Sequence, residues 1–199
     1  DGRRMSLAVS DEDIPTDREI KVIIPSKMIH ELESLLSDDP EKTVQVYLDE
    51  NQACFVFERV RIVTALIEGN FPNYEAVIPK KHDKEIVVDL ERFTKSIRIA
   101  YAMTNDKFRN LKLSFSDGML LLTVKTPEVG EQQQELPISY ENDPFDISFN
   151  PAFILDVLRY MDSENVCMQF KDGSSPGVFK PYTEAPLDSY INVIMPIRS

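Results

Sequence analysis

Hydrophobic and polar positions along the chain spell out one unit three times: an apolar strand, a helix-starting residue, an amphipathic helix, then strands joined by tight turns. The first copy opens with an apolar run at residues 19–24, and Pro25-Ser26 start a helix expected to reach about Leu36. Proline is harmless in a first helical turn, where its missing N–H has no helical partner. Strands are expected at residues 44–48, 54–57 and 61–66. The second copy opens at residues 85–88, caps with Asp89 and carries a helix to about Thr104. Strands at 111–115 and 119–124 meet across Ser116-Asp117-Gly118, where Asp-Gly favours a hairpin turn, and another strand is expected near 135–139. The third copy opens at residues 146–149, caps with Asn150-Pro151, runs a helix to about Met161 and adds strands at 166–170, 177–180 and 190–195. An apolar run at Met5-Ser6-Leu7-Ala8-Val9 predicts a further strand near the start.

The helix starts at Pro25, Asp89 and Asn150 lie about 60 residues apart. One helix cannot cover a four-stranded sheet, so these units are expected to pair, stacking two helices on two sheets. Copies two and three form one such pair, and copy one is half of another. The polar, Pro-marked stretch at residues 78–84 reads as a linker between them.

Composition then narrows the function classes. The chain has 199 residues, 22 Lys+Arg and 34 Asp+Glu, for a net charge of −12. That length holds one large domain or two small ones. The acidic balance argues against coating nucleic acid or an anionic membrane over every face, while leaving room for a local basic stripe. Cys54 and Cys167 both sit in apolar runs without any Cys-x-x-Cys or Cys/His cluster, so two buried thiols in a reducing cytoplasm are expected, with no metal and no cofactor. No apolar run approaches the roughly 20 residues of a membrane helix.

Catalytic patterns find little support. His30 falls in the first helix and His82 in the linker, without a common partner. There is no Gly-x-Ser-x-Gly elbow, P-loop or Gly-x-Gly-x-x-Gly. Asp11-Glu12-Asp13 has Asp-x-Asp spacing in what reads as a surface loop. A metal-dependent hydrolase or nuclease using Asp11, Asp13 or Asp156 on a repeated α/β unit is the alternative reading.

Two features carry more. Arg92, Lys95 and Arg98 recur every three residues and form one ridge on the second helix, with Phe93, Ile97, Tyr101 and Ile99 marking the opposite, buried side. Lys27 holds a comparable early-helix position in copy one. From spacing alone such a ridge is a solvated face, and a basic lining would hold phosphates without reading sequence. The end of the chain, Tyr190 to Ser199, is apolar almost throughout. It is either a buried last strand or the edge of a surface that receives something hydrophobic. Met195, Pro196 and Ile197 cannot all be buried by strand alternation.

Several segments resemble one family. Val193-Ile194-Met195-Pro196-Ile197-Arg198 is similar to the ending of the bacterial DNA polymerase III beta subunit, the replicative sliding clamp. Asp1-Gly2-Arg3-Arg4-Met5, the run Leu66 to Tyr74, the run Asn105 to Leu111 and the run Phe149 to Leu158 resemble other segments of the same family, in order along the whole chain. The resemblance implies an α+β DNA clamp fold, with helices on the inner face and antiparallel sheets outside. It implies a carboxy-terminal fragment: residues 1–79 as the second half of a middle clamp domain, and 80–199 as a complete carboxy-terminal domain.

By the same resemblance, the whole protein is a non-catalytic, cytoplasmic processivity factor. Its homodimer ring encircles duplex DNA without sequence preference, and the fragment is expected to be monomeric. The replicative polymerase and clamp loader subunits dock through short Gln-Leu-x-Leu-Phe-like peptides. The implied peptide pocket is Gly2, Arg4, Met5, Pro72, Val77, Asn150, Phe153, Val193, Met195, Pro196, Ile197 and Arg198. Lys27, Arg92, Lys95 and Arg98 would face DNA, which turns the ridge from a merely solvated face into a hole lining. Ala102 and Met103 would lie in the ring contact. The chain departs from the family's habit with Ala76 in place of a basic residue, Phe153 in place of Tyr, and Ser199 in place of a final Leu.

Overall fold

The computed structural model describes residues 1–10, 19–36, 42–127, 129–183 and 190–198. In chain order the elements are β1 (Arg4–Ala8), α1 (Ser26–Leu35), β2 (Gln45–Leu48), β3 (Gln52–Phe57), β4 (Val60–Ala65), β5 (Lys84–Asp89), α2 (Leu90–Ala102), β6 (Leu111–Ser116), β7 (Met119–Thr126), β8 (Gly130–Pro137), β9 (Phe145–Phe149), α3 (Pro151–Leu158), β10 (Asn165–Phe170), β11 (Gly177–Tyr182) and β12 (Tyr190–Ile194). They fall into two compact units, Asp13–Tyr74 and the combination of Asp1–Glu12 with Glu75–Ser199.

In the smaller unit, α1 covers an antiparallel sheet ordered β2-β3-β4. Alternation along β3 sends Ala53, Phe55 and Phe57 to one face, where they meet Met28 and Leu32 of α1. The same alternation puts Cys54 on the other face, so this thiol is half-buried rather than buried as expected. Residues 19–24 form no strand, contrary to their pattern. Ile23 accepts from the Ile67 N–H at 2.9 Å, but the segment joins no ladder among the described residues. An apolar run favours extended backbone, and only a neighbouring strand makes it part of a sheet.

The larger unit holds two antiparallel sheets, ordered β1-β12-β11-β10-β5 and β8-β7-β6-β9. The helices α2 and α3 pack on one another, and a single core draws on both sheets and both helices. Phe93 and Ile97 of α2 meet Phe115, Phe149, Phe170 and Phe179 there, all nearly inaccessible to solvent. The opening strands of the two repeats are exchanged. Strand β5, which leads into α2, pairs with β10, whereas β9, which leads into α3, pairs with β6. Each sheet is therefore completed by the other repeat, and neither repeat contains a finished sheet of its own.

Local chemistry sets the boundaries. The Asp89 carboxylate accepts from the Arg92 N–H at 2.7 Å and the Asn150 side chain from the Ala152 N–H at 3.0 Å, capping α2 and α3. Gly118 takes the left-handed conformation (φ 69°) that the β6–β7 turn requires. Helix α3 ends at Leu158, earlier than the pattern suggests. Tyr160 and Met161 continue with three-residue-spaced bonds to Val157 and Leu158, a tightened last turn that still buries Met161. Strand β8 starts earlier than expected, its Gly130–Gln134 stretch being carried by the ladder to β7 rather than by its own polar sequence. No helix among the described residues is long and apolar enough to cross a membrane.

Candidate functional site

The chain's last residues leave β12 and change sheets. The Met195 N–H donates to the Arg3 carbonyl at 2.8 Å, extending the β1–β12 ladder, and two residues later the Ile197 N–H donates to Ser148 of β9, also at 2.8 Å. Between them stands Pro196, which has no N–H to satisfy. Met195, Pro196 and Ile197 are all half-buried, so each keeps apolar surface open to a ligand.

Met195 is a wall common to two cavities. One, of about 690 Å³, is lined by Phe108, Phe153, Pro196 and Ile197, with Arg3, Asp106, Lys107, Arg109, Asn110 and Asn150 as its polar part. The other, of about 620 Å³, has Val77, Ile78, Pro176 and Met195 as its apolar surface and three lysines around it. Apolar slots rimmed by a few polar groups suit aliphatic and aromatic side chains on a peptide whose backbone the rim orients.

Of the expected pocket residues, Val77, Asn150, Phe153, Met195, Pro196 and Ile197 line these two cavities. Met5 and Val193 lie beneath, packed with Val178, Ile191 and Ile78 in one apolar cluster. Gly2 forms a left-handed turn (φ 77°) in which the Asp1 carboxylate accepts from the Arg3 and Arg4 N–H groups. Arg198 is exposed at the end of the tail, and Pro72 belongs to the smaller unit.

Arg4 is tightly occupied. Its guanidinium lies 4.5 Å from the centre of the Phe153 ring and pairs with both Asp1 and Asp156. Phe153 is thus held in place without the hydroxyl that a tyrosine would bring. Sequence reasoning omitted Arg3, Lys107, Phe108, Ile78 and Pro176 from the site. Arg3 and Phe108 stand inside segments already singled out for resemblance, whereas Pro176 comes from a turn that carries no local signal.

On α2, Arg92, Lys95 and Arg98 are all exposed, and Phe93, Ser96, Ile97 and Ala100 are buried opposite. Tyr101 and Ile99 prove exposed instead of buried, because the helical repeat turns them away from the Phe93–Ile97–Ala100 line. Lys95 pairs with Glu91 at 2.7 Å, so the central charge of the three-cation ridge is offset locally. Lys27 is exposed on α1 of the smaller unit. At the end of α2, Ala102 is exposed and Met103 is half-buried, its carbonyl accepting from the Thr126 hydroxyl at 2.6 Å.

The remaining polar chemistry is structural. Asp172 is held well below its ordinary value, to about 2, by the Ser174 backbone N–H first and then by the Ser174 hydroxyl and the Ser175 groups. Asp146 is lowered chiefly by its hydrogen bond from Lys112. Burial pushes the Cys167 thiol up to about 12, which leaves it unreactive. For the hydrolase alternative, Asp156 is committed to Arg4, and Asp11 and Asp13 lie outside the described residues. No group of three or more potential metal ligands stands together among the described residues.

A set of solved structures shares the fold over the whole of this chain. A DNA polymerase III subunit beta from Pseudomonas aeruginosa superposes with a TM-score of 0.91 at 29% identity, and a DNA polymerase sliding clamp from Bacillus subtilis with 0.90 at 26%. The chain covers 53% and 52% of those two proteins. The architecture is therefore that of the sliding clamps, α+β with antiparallel sheets. Residues 75–198 match the family described as DNA polymerase III beta subunit, C-terminal domain, and residues 1–73 match its central domain. Beta sliding clamps of Pseudomonas putida and Vibrio cholerae are 32% and 30% identical across the entire chain. The chain belongs to the DNA polymerase III beta subunit family. It spans about half the length of the curated relatives it matches.

Proposed function

We propose that this chain is the partner-docking portion of a sliding clamp, a protein that encircles duplex DNA and tethers a replicative polymerase to it without catalysing a reaction itself. The observation that carries the reading is the pair of apolar cavities separated by Met195 at the chain's end. A short peptide of the Gln-Leu-x-Leu-Phe kind, borne by a polymerase or clamp loader, would set its leucine on one side of Met195 and its phenylalanine on the other. Burying two such side chains is worth roughly 3–6 kcal/mol before the cost of ordering the peptide, which predicts a weak, saturable interaction.

The remaining assignments follow the family. Residues 1–79 would be the second half of a middle clamp domain and 80–199 a carboxy-terminal one. Arg92, Lys95, Arg98 and Lys27 would face the DNA, held to it by encirclement rather than by affinity. Ala102 and Met103 would take part in closing the ring with a second copy.

Fluorescence anisotropy with a labelled Gln-Leu-Ser-Leu-Phe peptide tests the docking reading. The natural chain should titrate to saturation and Met195→Asp should not bind. An unchanged titration for Met195→Asp would remove the pocket.

A further inference from the structure

The second cavity has a feature that an apolar docking slot does not need. Lys80, Lys81 and Lys171 line it, all three are exposed, and none is paired with a carboxylate among the described residues. Outside the cavity, Lys84 donates to the Lys171 carbonyl at 3.2 Å. Among the described residues no carboxylate stands within ion-pair distance of these three lysines. Asp83 and Asp172 are not among the residues lining it, and the Asp172 carboxylate is spent on Ser174 and Ser175. In a chain with a net charge of −12, three cations around one apolar cavity, unpaired among the described residues, are a local reversal of sign.

We propose that Lys80, Lys81 and Lys171 form a cationic collar that selects docking peptides carrying acidic residues beside their hydrophobic anchors. The claim rests on the docking reading above and adds the chemistry of the ligand's flanks. Two of the lysines come from the strand-leading segment before β5 and the third from the turn after β10. The β5–β10 ladder holds these two segments side by side, and its last pair is Lys84 with Phe170, the residue before Lys171. Opposite charges at such a rim steer encounter and fix the orientation of a ligand, and their effect falls as salt screens them. Exposed ion pairs are individually weak, so three acting together should be read as about a tenfold preference at low salt.

The test uses two labelled peptides that share Gln-Leu-Ser-Leu-Phe, one flanked by three serines and the other by three aspartates. The aspartate-flanked peptide should bind the natural chain about tenfold more tightly in about 50 mM salt, and the gap should close near 500 mM. Lys80→Ala/Lys81→Ala/Lys171→Ala should bring the two Kd values together at low salt. Equal affinities for the natural chain, or a gap that survives the triple substitution, would overturn the collar. So would a single-stranded oligothymidine displacing the acidic peptide at lower concentration than the peptide's own Kd. Met195→Asp keeps the two readings apart. Loss of both peptides in that variant, with no acidic preference in the natural chain, removes only the collar. Retention of both removes the docking site beneath it.

Discussion

Gly177 begins β11 at a point where three aromatic rings converge. A Cβ there would lie 2.8 Å from Phe170 Cε1, 2.9 Å from Phe149 Cζ and 3.2 Å from Phe179 Cε2. Those rings are buried with centroids about 6 Å apart, Phe179 meeting the other two edge-to-face and Phe149 lying tilted against Phe170, so none can retreat freely. Gly177→Ala should lower stability by about 1–3 kcal/mol through overpacking, read from urea unfolding followed by circular dichroism. Asp172 acts at the same scale through charge. Its folded value of about 2 lies below the ordinary carboxylate value of about 3.9. The hydrogen-bonded carboxylate therefore adds stability above about pH 4, and that contribution disappears as pH falls towards 2. Asp172→Asn should flatten this part of the acid limb, visible as a smaller drop in urea midpoint between about pH 4.5 and 2.5 than in the natural chain.

At the scale of elements, α2 illustrates what the sequence can and cannot convey. Its cap at Asp89, its buried Phe93 and Ile97 and its exposed cationic ridge were all legible, because capping and a 3.6-residue repeat are local properties. The Glu91–Lys95 pair weakens the middle of that ridge. If the ridge faces DNA as proposed, Glu91→Gln should strengthen salt-sensitive binding of this chain to short duplex DNA about two- to threefold at low salt, by electrophoretic or anisotropy titration. Arg92→Ala with Arg98→Ala should weaken it further than Lys95→Ala. The run at residues 19–24 is the counterexample. Its apolar pattern matches a strand, but strand formation depends on a partner elsewhere in the chain, which no local pattern contains. The candidate site divides in the same way. Met195, Pro196 and Ile197 could be read from an apolar tail that alternation cannot bury. Lys171 and Pro176 could not, because only the β5–β10 and β10–β11 pairings bring that turn beside residues 76–81.

For the molecule as a whole, the exchange of β5 and β9 binds the two carboxy-terminal repeats into one cooperative body, since unfolding either repeat strips a strand from both sheets. The smaller unit has its own core and sheet. The two cysteines report on the units separately. Half-buried Cys54 in the smaller unit should react with a thiol reagent in the native state or after local opening, whereas Cys167, buried and with a thiol near 12, should react only when the larger unit unfolds. Alkylation followed by mass spectrometry across a urea series should show two separate protection curves, and a single shared curve would mean that the units unfold together.

Met195 and Ile197 are fastened to different sheets with a single proline between them. Spreading of the two sheets, even by an ångström or two, must be taken up within that three-residue span. The proposed docking surface is thus strung across the same core it stands on. Damage deep in the larger unit would slacken the span without any substitution in the proposed docking surface itself. A partner testing for its anchor points would, in the same act, be inspecting the soundness of the fold behind them.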